Sequence, residues 1–227
     1  MKKLTSAFTI MTMLMLGAFS ITSAGAIGIN VGVSGQVGAF TGSANETEDL
    51  SAPQGEEATA AVGYTSVFIE KTLGSRLIVG YDYVPESLTS DVQSRVITDN
   101  GSRVTNKVTI DFEDLSTTYV ALKLTKNIYV KAGMLDVDVV TNELLGTGSA
   151  YGNTSLDGTV YAVGYNHTRD NGLFIRGEFS HMEFDGAKLT STVSCVQAVN
   201  QPTCKDNTVK LNNLDGLSGK LSIGKSF

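Results

Sequence analysis

Leu217-Ser218-Gly219-Lys220-Leu221-Ser222-Ile223-Gly224-Lys225-Ser226-Phe227 closes the chain, and its alternation decides the fold. Leu217, Gly219, Leu221, Ile223, Lys225 and Phe227 share one face of an extended strand, while Ser218, Lys220, Ser222, Gly224 and Ser226 share the other. Chain ends usually fray and carry polar residues, because little offsets the entropy of ordering them. A final strand that stops on an aromatic residue is expected to lie between an apolar environment and a polar one. The closing strand of a membrane barrel has that setting.

Working back from this strand, period-two alternation marks seven more. The first, Ile27 to Phe40, sets Ile27, Ile29, Val31, Val33, Val37 and Ala39 against Gly28, Asn30, Gly32, Ser34, Gln36 and Gly38. The others lie near Thr59 to Ile69, Arg76 to Tyr83, Ser116 to Leu124, Ile128 to Leu135, Tyr161 to Tyr165 and Leu173 to Ser180. In the second, Val62 and Tyr64 have one parity and Val67 and Ile69 the other, which suggests a bulge. Val-Gly-Tyr recurs at Val62 to Tyr64, Val79 to Tyr81 and Val163 to Tyr165, and reads as repeated strand grammar.

The connections alternate in length. Glu70 to Ser75, Thr125 to Asn127 and Thr168 to Gly172 are short and carry Asn or Gly for tight turns. Gly42 to Ala58, Pro85 to Leu115, Asp136 to Gly158 and Asp185 to Asn213 are long. An even strand number with short turns at one end and long loops at the other is the asymmetry of an outer-membrane barrel, whose short turns are periplasmic. The expected fold is an all-β, eight-stranded, antiparallel up-and-down transmembrane barrel with both termini on the short-turn side. A soluble barrel of the lipocalin type is the alternative, and it would turn the apolar faces inward.

Residues 1–26 have the parts of a cleavable signal peptide: Lys2 and Lys3, an apolar run from Ile10 to Ile21, and the small-residue site Ala24-Gly25-Ala26. Removing them takes two lysines and no acid from a chain of net charge −6, so the barrel domain, 27–227, carries −8. That acidity excludes nucleic acid as a partner. No later stretch approaches the ~20 apolar residues of a spanning helix.

In this orientation the polar faces line the lumen, which receives Arg76, Asp82, Lys123, Lys131, Arg176 and Glu178. Eight strands enclose only enough room for side chains, so these charges are expected to pair and plug the barrel, in preference to forming an ion pathway. Tyr119 and Tyr129 belong to the same interior, and outward tyrosines suit the membrane interfaces.

The remaining chemistry is sparse. Cys195 and Cys204, both in the last long loop of an exported chain, are expected to form a disulfide. His167 and His181 match no catalytic motif, and the chain is read as no enzyme, with a lipid-modifying activity the least favoured alternative. Glu46, Glu48, Asp49, Glu56 and Glu57 in the first long loop read as a solvated acidic run with no calcium-loop spacing. No cofactor or metal is implied.

Signal, alternating strands, alternating connections and terminal Phe227 together resemble the small outer-membrane β-barrel domain family, which includes the opacity-type porins and the OmpA-like and OmpX-like barrels. The resemblance spans the whole mature chain and implies localisation in a bacterial outer membrane. It implies that Gly219, Leu221, Ile223 and Phe227 act as a signal for the barrel-assembly machinery, with Lys225 departing from the usual apolar residue. It also implies lipid and lipopolysaccharide as neighbours, a monomer, and a structural or surface-interaction role toward a ligand the sequence does not identify. A narrow porin-like channel for small solutes is the alternative.

Overall fold

The computed structural model describes residues 28–47, 54–99, 102–145, 150–192 and 207–227. The described residues form eleven strands: β1 (Ile29–Thr47), β2 (Gln54–Leu73), β3 (Leu77–Tyr83), β4 (Leu88–Thr89), β5 (Gln93–Asp99), β6 (Ser102–Lys123), β7 (Ile128–Leu144), β8 (Thr154–Thr168), β9 (Leu173–Phe184), β10 (Ala187–Thr190) and β11 (Thr208–Ser226). Eight of them pair antiparallel in the order β1-β2-β3-β6-β7-β8-β9-β11, and β11 returns to β1, so the sheet closes on itself. Following paired residues from Thr41 through Asp215, Glu183, Thr159, Met134, Thr118, Tyr81 and Ile69 returns the path to β1 at Val31, ten residues from its start. Such a stagger on eight strands goes with a strand tilt of about 40°.

The short turns sit where the sequence puts them. Gly74 and Gly172 take φ of 64° and 81°, a region open to glycine at little cost, and Thr125 Oγ1 accepts the Ile128 N–H in the third turn at 2.9 Å. The two ends of the ring meet on this side: Gly28 N–H donates to Phe227 O, and Phe227 N–H to Ile29 O, each at 2.8 Å.

The described parts of the long connections are largely strand. β1 and β2 stay paired out to Glu46 and Gln54, and β6 and β7 out to Lys107 and Leu144, so what reads as loop is mostly hairpin rising from the far end of the barrel. The wall there is not uniform. β3 stops at Tyr83, its line is continued against β6 by β4 and β5, and among the described residues β2 has no strand partner on that side beyond Val67. Glu86 caps the end of this ladder by accepting the Thr65 N–H at 2.8 Å and its hydroxyl at 2.9 Å.

The decisive pattern is an inversion of polarity along single strands. In β7, Ile128, Val130, Ala132 and Met134 face outward while Tyr129 and Lys131 are buried inside; past Met134 the apolar residues Leu135, Val137 and Val139 are inside and Asp136 and Asp138 outside. β9 repeats it: outward Ile175 and Phe179 give way to His181 and Glu183, and inward Arg176, Glu178 and Ser180 give way to Met182 and Phe184. The first part has the dressing of a membrane barrel, the second that of a barrel in water. β2 obeys the same rule, so its change of parity between Tyr64 and Val67 needs no bulge, and its pairing with β1 is continuous. The irregularities lie elsewhere: Thr41 and Ser43 of β1 face Asp215 and Asn212, which puts an extra residue in β11, and another lies between Glu113 and Ser116 in β6, where Asp114 takes φ of 55°. Tyr83 Oη donates to Asp114 Oδ1 there at 2.6 Å.

Candidate functional site: the lumen

Among the described residues, the interior of the membrane half holds three ion pairs that cancel in charge. Glu70 of β2, only 2% exposed, receives the Arg176 guanidinium as a two-pronged pair, Nη1 to Oε1 at 2.5 Å and Nη2 to Oε2 at 2.9 Å. Asn30 Nδ2 and Tyr119 Oη also donate to it, at 3.0 and 2.7 Å. Glu178 receives Lys131 Nζ, and Tyr129 Oη at 2.6 Å. Lys220 Nζ reaches Asp82 Oδ2 at 2.6 Å. Arg176 lies among the rings of Phe68, Tyr129 and Phe174 at 5.2 to 5.4 Å from their centroids, and Lys131 lies 4.9 Å from that of Tyr119. A charge buried this deeply persists only when paired and hydrogen-bonded, and each of these is.

The rings in turn depend on glycine. Phe68, Tyr119, Tyr129 and Phe174 stand opposite Gly32, Gly80, Gly164 and Gly224 in register. A Cβ at Gly164 would come within 2.2 Å of Tyr129 Cζ, and one at Gly80 within 2.4 Å of Tyr119 Cζ. Each ring therefore lies flat over the bare backbone of its neighbour, which is how an eight-stranded lumen accommodates aromatic side chains. Two of the three Val-Gly-Tyr repeats owe their glycine to this.

Above the charges the interior is apolar. Tyr64, Val84, Leu115, Leu135, Val137, Val139, Leu156, Val160, Met182 and Phe184 form one buried cluster. Between the two layers lies a cavity of about 20 Å3 lined by Tyr64, Asp82, Lys131, Leu135, Glu178 and Lys220 among others, room for a single water.

Of the lumen charges expected from sequence, Asp82, Lys131, Arg176 and Glu178 lie in this network. Arg76 does not: it is an exposed residue at the end of the β2–β3 turn, its carbonyl still accepting the Lys123 N–H of β6 at 2.9 Å. Lys123 sits half-buried at the barrel mouth on the inner parity and takes part in none of the three pairs. Sequence reading missed Glu70, assigned to a turn, and Lys220; both have the parity of neighbouring lumen residues, Phe68 and Ser66 for one, Ser218 and Ser222 for the other.

The other candidates do not converge. His167 and His181 both point outward, opposite Ile175 and Tyr161 respectively and far apart along the wall. Gly219, Leu221 and Ile223 face outward, and Phe227 is half-buried at the rim. Cys195, Cys204, Glu48, Asp49 and residues 1–26 lie outside the described residues. Glu46 accepts Tyr151 Oη at 2.9 Å and Glu57 is exposed. In the external half, burial pushes the Glu143 carboxyl up while the Tyr151 N–H it accepts opposes this, and the Thr65 donors hold Glu86 below the usual carboxylate range. Among the described residues no group of three His, Cys, Asp or Glu side chains is placed to hold a metal ion, and no helix is long and apolar enough to cross a membrane.

The chain superposes on the outer membrane protein OprG from Pseudomonas aeruginosa with a TM-score of 0.51 and 8% identity, over 89% of this chain and 97% of that one. The fold is that of an outer-membrane β-barrel. At that identity the likeness is one of fold. Neisserial surface protein A (TM-score 0.36, 11% identity, 90% of this chain and 100% of that one) and the outer membrane protease OmpT from Escherichia coli (0.40, 9%, 92% and 99%) also match. No protein-family model matches the chain, and no curated protein matches it in sequence.

Proposed function

We propose that this barrel resides in a bacterial outer membrane, exported behind a signal segment at 1–26 and guided into place by a terminal signal at Gly219, Leu221, Ile223 and Phe227. Its role is structural or surface-interacting, as a monomer whose lumen is closed. The observation that carries this reading is the double seal: a charge-neutral ion network under an apolar plug, with a void between them of about 20 Å3. A hydrated ion would have to break buried pairs and then cross hydrocarbon side chains. The external half, with its paired hairpins and outward carboxylates, is then the part that meets lipopolysaccharide or an external ligand.

The test is single-channel recording on the refolded full-length mature chain in planar bilayers, with carbonate extraction of native envelopes alongside. A silent bilayer and a chain retained in carbonate-washed outer membranes are expected. Discrete conductance steps altered by Arg176→Gln would replace the sealed barrel with the narrow solute channel. Altered lipid A in an overexpressing strain, lost with His181→Ala, would make the chain an enzyme.

A further inference from the structure

In an acidic chain, the short-turn rim of the barrel is basic. Lys71 projects outward at the foot of β2, Arg76 lies in the β2–β3 turn, Lys126 in the β6–β7 turn and Arg169 in the β8–β9 turn, all exposed, and Lys225 lies outward on β11. Asp170 is the one exposed carboxylate among the described residues of these turns. The cations belong to every short turn and to the closing strand, so they ring the whole mouth. The other margin of the apolar band has the opposite sign: Asp136, Asp157, Glu183 and Asp215 face outward just past it. The two rims therefore face different headgroup chemistry.

We propose that the basic rim is a docking surface for anionic phospholipid headgroups of the membrane leaflet on the short-turn side. This rests on the membrane-barrel reading and adds a lipid preference to it. The placement supports headgroups as the occupant: Leu73, Leu77, Leu124, Ile128 and Tyr165 are exposed outward directly beside the cations, so a lipid whose chains cover these residues brings its phosphate to the basic side chains. Lys225 shows the geometry: its stem lies on the apolar face and its Nζ turns to the Asn171 carbonyl in the β8–β9 turn. Lysines and arginines near a surface each add to the attraction of anionic lipid, and the effect fades within a Debye length.

The experiment uses the refolded mature chain in vesicles of phosphatidylethanolamine carrying trace spin-labelled phosphatidylglycerol or spin-labelled phosphatidylcholine, with electron spin resonance reporting the share of each at the protein surface. The expected result is an association about threefold or more stronger for phosphatidylglycerol, lowered by 0.5 M salt and abolished in a variant carrying K71Q, R76Q, K126Q, R169Q and K225Q. A variant carrying D136N and D157N at the other rim keeps the preference. Equal association of the two lipids, or a preference the five-site variant retains, overturns the proposal while leaving the barrel standing. Heat-modifiable migration monitors folding of each protein, and wild-type chain that inserts in neither vesicle overturns the barrel reading and this surface with it. Should the five-site variant fail to fold, R76Q/K126Q/R169Q in the turns alone is expected to lose most of the preference, and an undiminished preference there overturns the proposal.

Discussion

At Gly164 a single hydrogen atom is all the space the lumen leaves, since a methyl group would stand 2.2 Å from Tyr129 Cζ. Tyr129 in turn holds Glu178 through its hydroxyl and stacks near Arg176, so displacing its ring disturbs both buried carboxylate sites. Gly164→Ala is expected to cost about 1–3 kcal/mol as overpacking, measured by urea unfolding in detergent, and Tyr129→Leu in the same chain should recover part of it. A loss as large with Gly177→Ala, whose outward side has only Leu221 nearby at 3.8 Å, would contradict this reading. The Glu70–Arg176 pair behaves differently. Arg176→Met alone leaves a carboxylate with 2% exposure facing Tyr119 and Asn30 without its cation, and about 3–5 kcal/mol is the expected penalty. Glu70→Gln added to Arg176→Met removes the orphaned charge and should return much of that stability; a strictly additive double variant would show that the two residues do not act as a pair.

Within an element, one adjacent pair of apolar residues locates the edge of the membrane. Met134 and Leu135 are neighbours of opposite facing, one outward and 71% exposed, the other 3% exposed inside, and the alternation of β7 is reversed on either side of them. Arginine at Ala132, near the middle of the outward band, is expected to cost about 2–4 kcal/mol, whereas Asp138→Arg should fall within about 0.5 kcal/mol. Because the chain has no tryptophan, a single introduced one reports its own surroundings: Phe179→Trp should be quenched by brominated lipid and Glu183→Trp should not. The same pair explains what was legible in the sequence. Period two and turn residues located the ring strands, because each strand keeps one face to lipid and one to a lumen. They did not reveal that the long connections are hairpins, since alternation there runs with the opposite sign and reads as loss of pattern. β2 shows the confusion most plainly, with Tyr64 inside and Val67 outside in an unbroken ladder. Arg76 shows a related limit: it keeps a backbone bond to β6 but lies at the barrel mouth, where even the inner parity is exposed to water.

For the whole molecule, closure is the property on which the rest depends. Joining β1 to β11 satisfies the backbone groups of both edge strands, the condition for a sheet to reside in hydrocarbon, and the stagger of ten residues sets the tilt at which the charged and apolar layers stack. Phe227 lies where that closure finishes, its N–H on Ile29 O and its carbonyl accepting from Gly28. Both bonds are made by backbone, so the side chain is dispensable to them, and a half-buried ring at a rim contributes little packing compared with the interior clusters. If Phe227 serves assembly in the cell, its loss should separate two measurements that normally move together. Phe227→Ala is expected to refold in detergent with a urea midpoint close to that of the wild type and to show the same heat-modifiable migration, yet to reach the outer membrane at a markedly lower level when expressed as the full 227-residue chain. The reverse arrangement, normal accumulation in the envelope with a large loss of stability in detergent, would assign the ring to packing at the closing seam and leave the terminal strand without a signalling role.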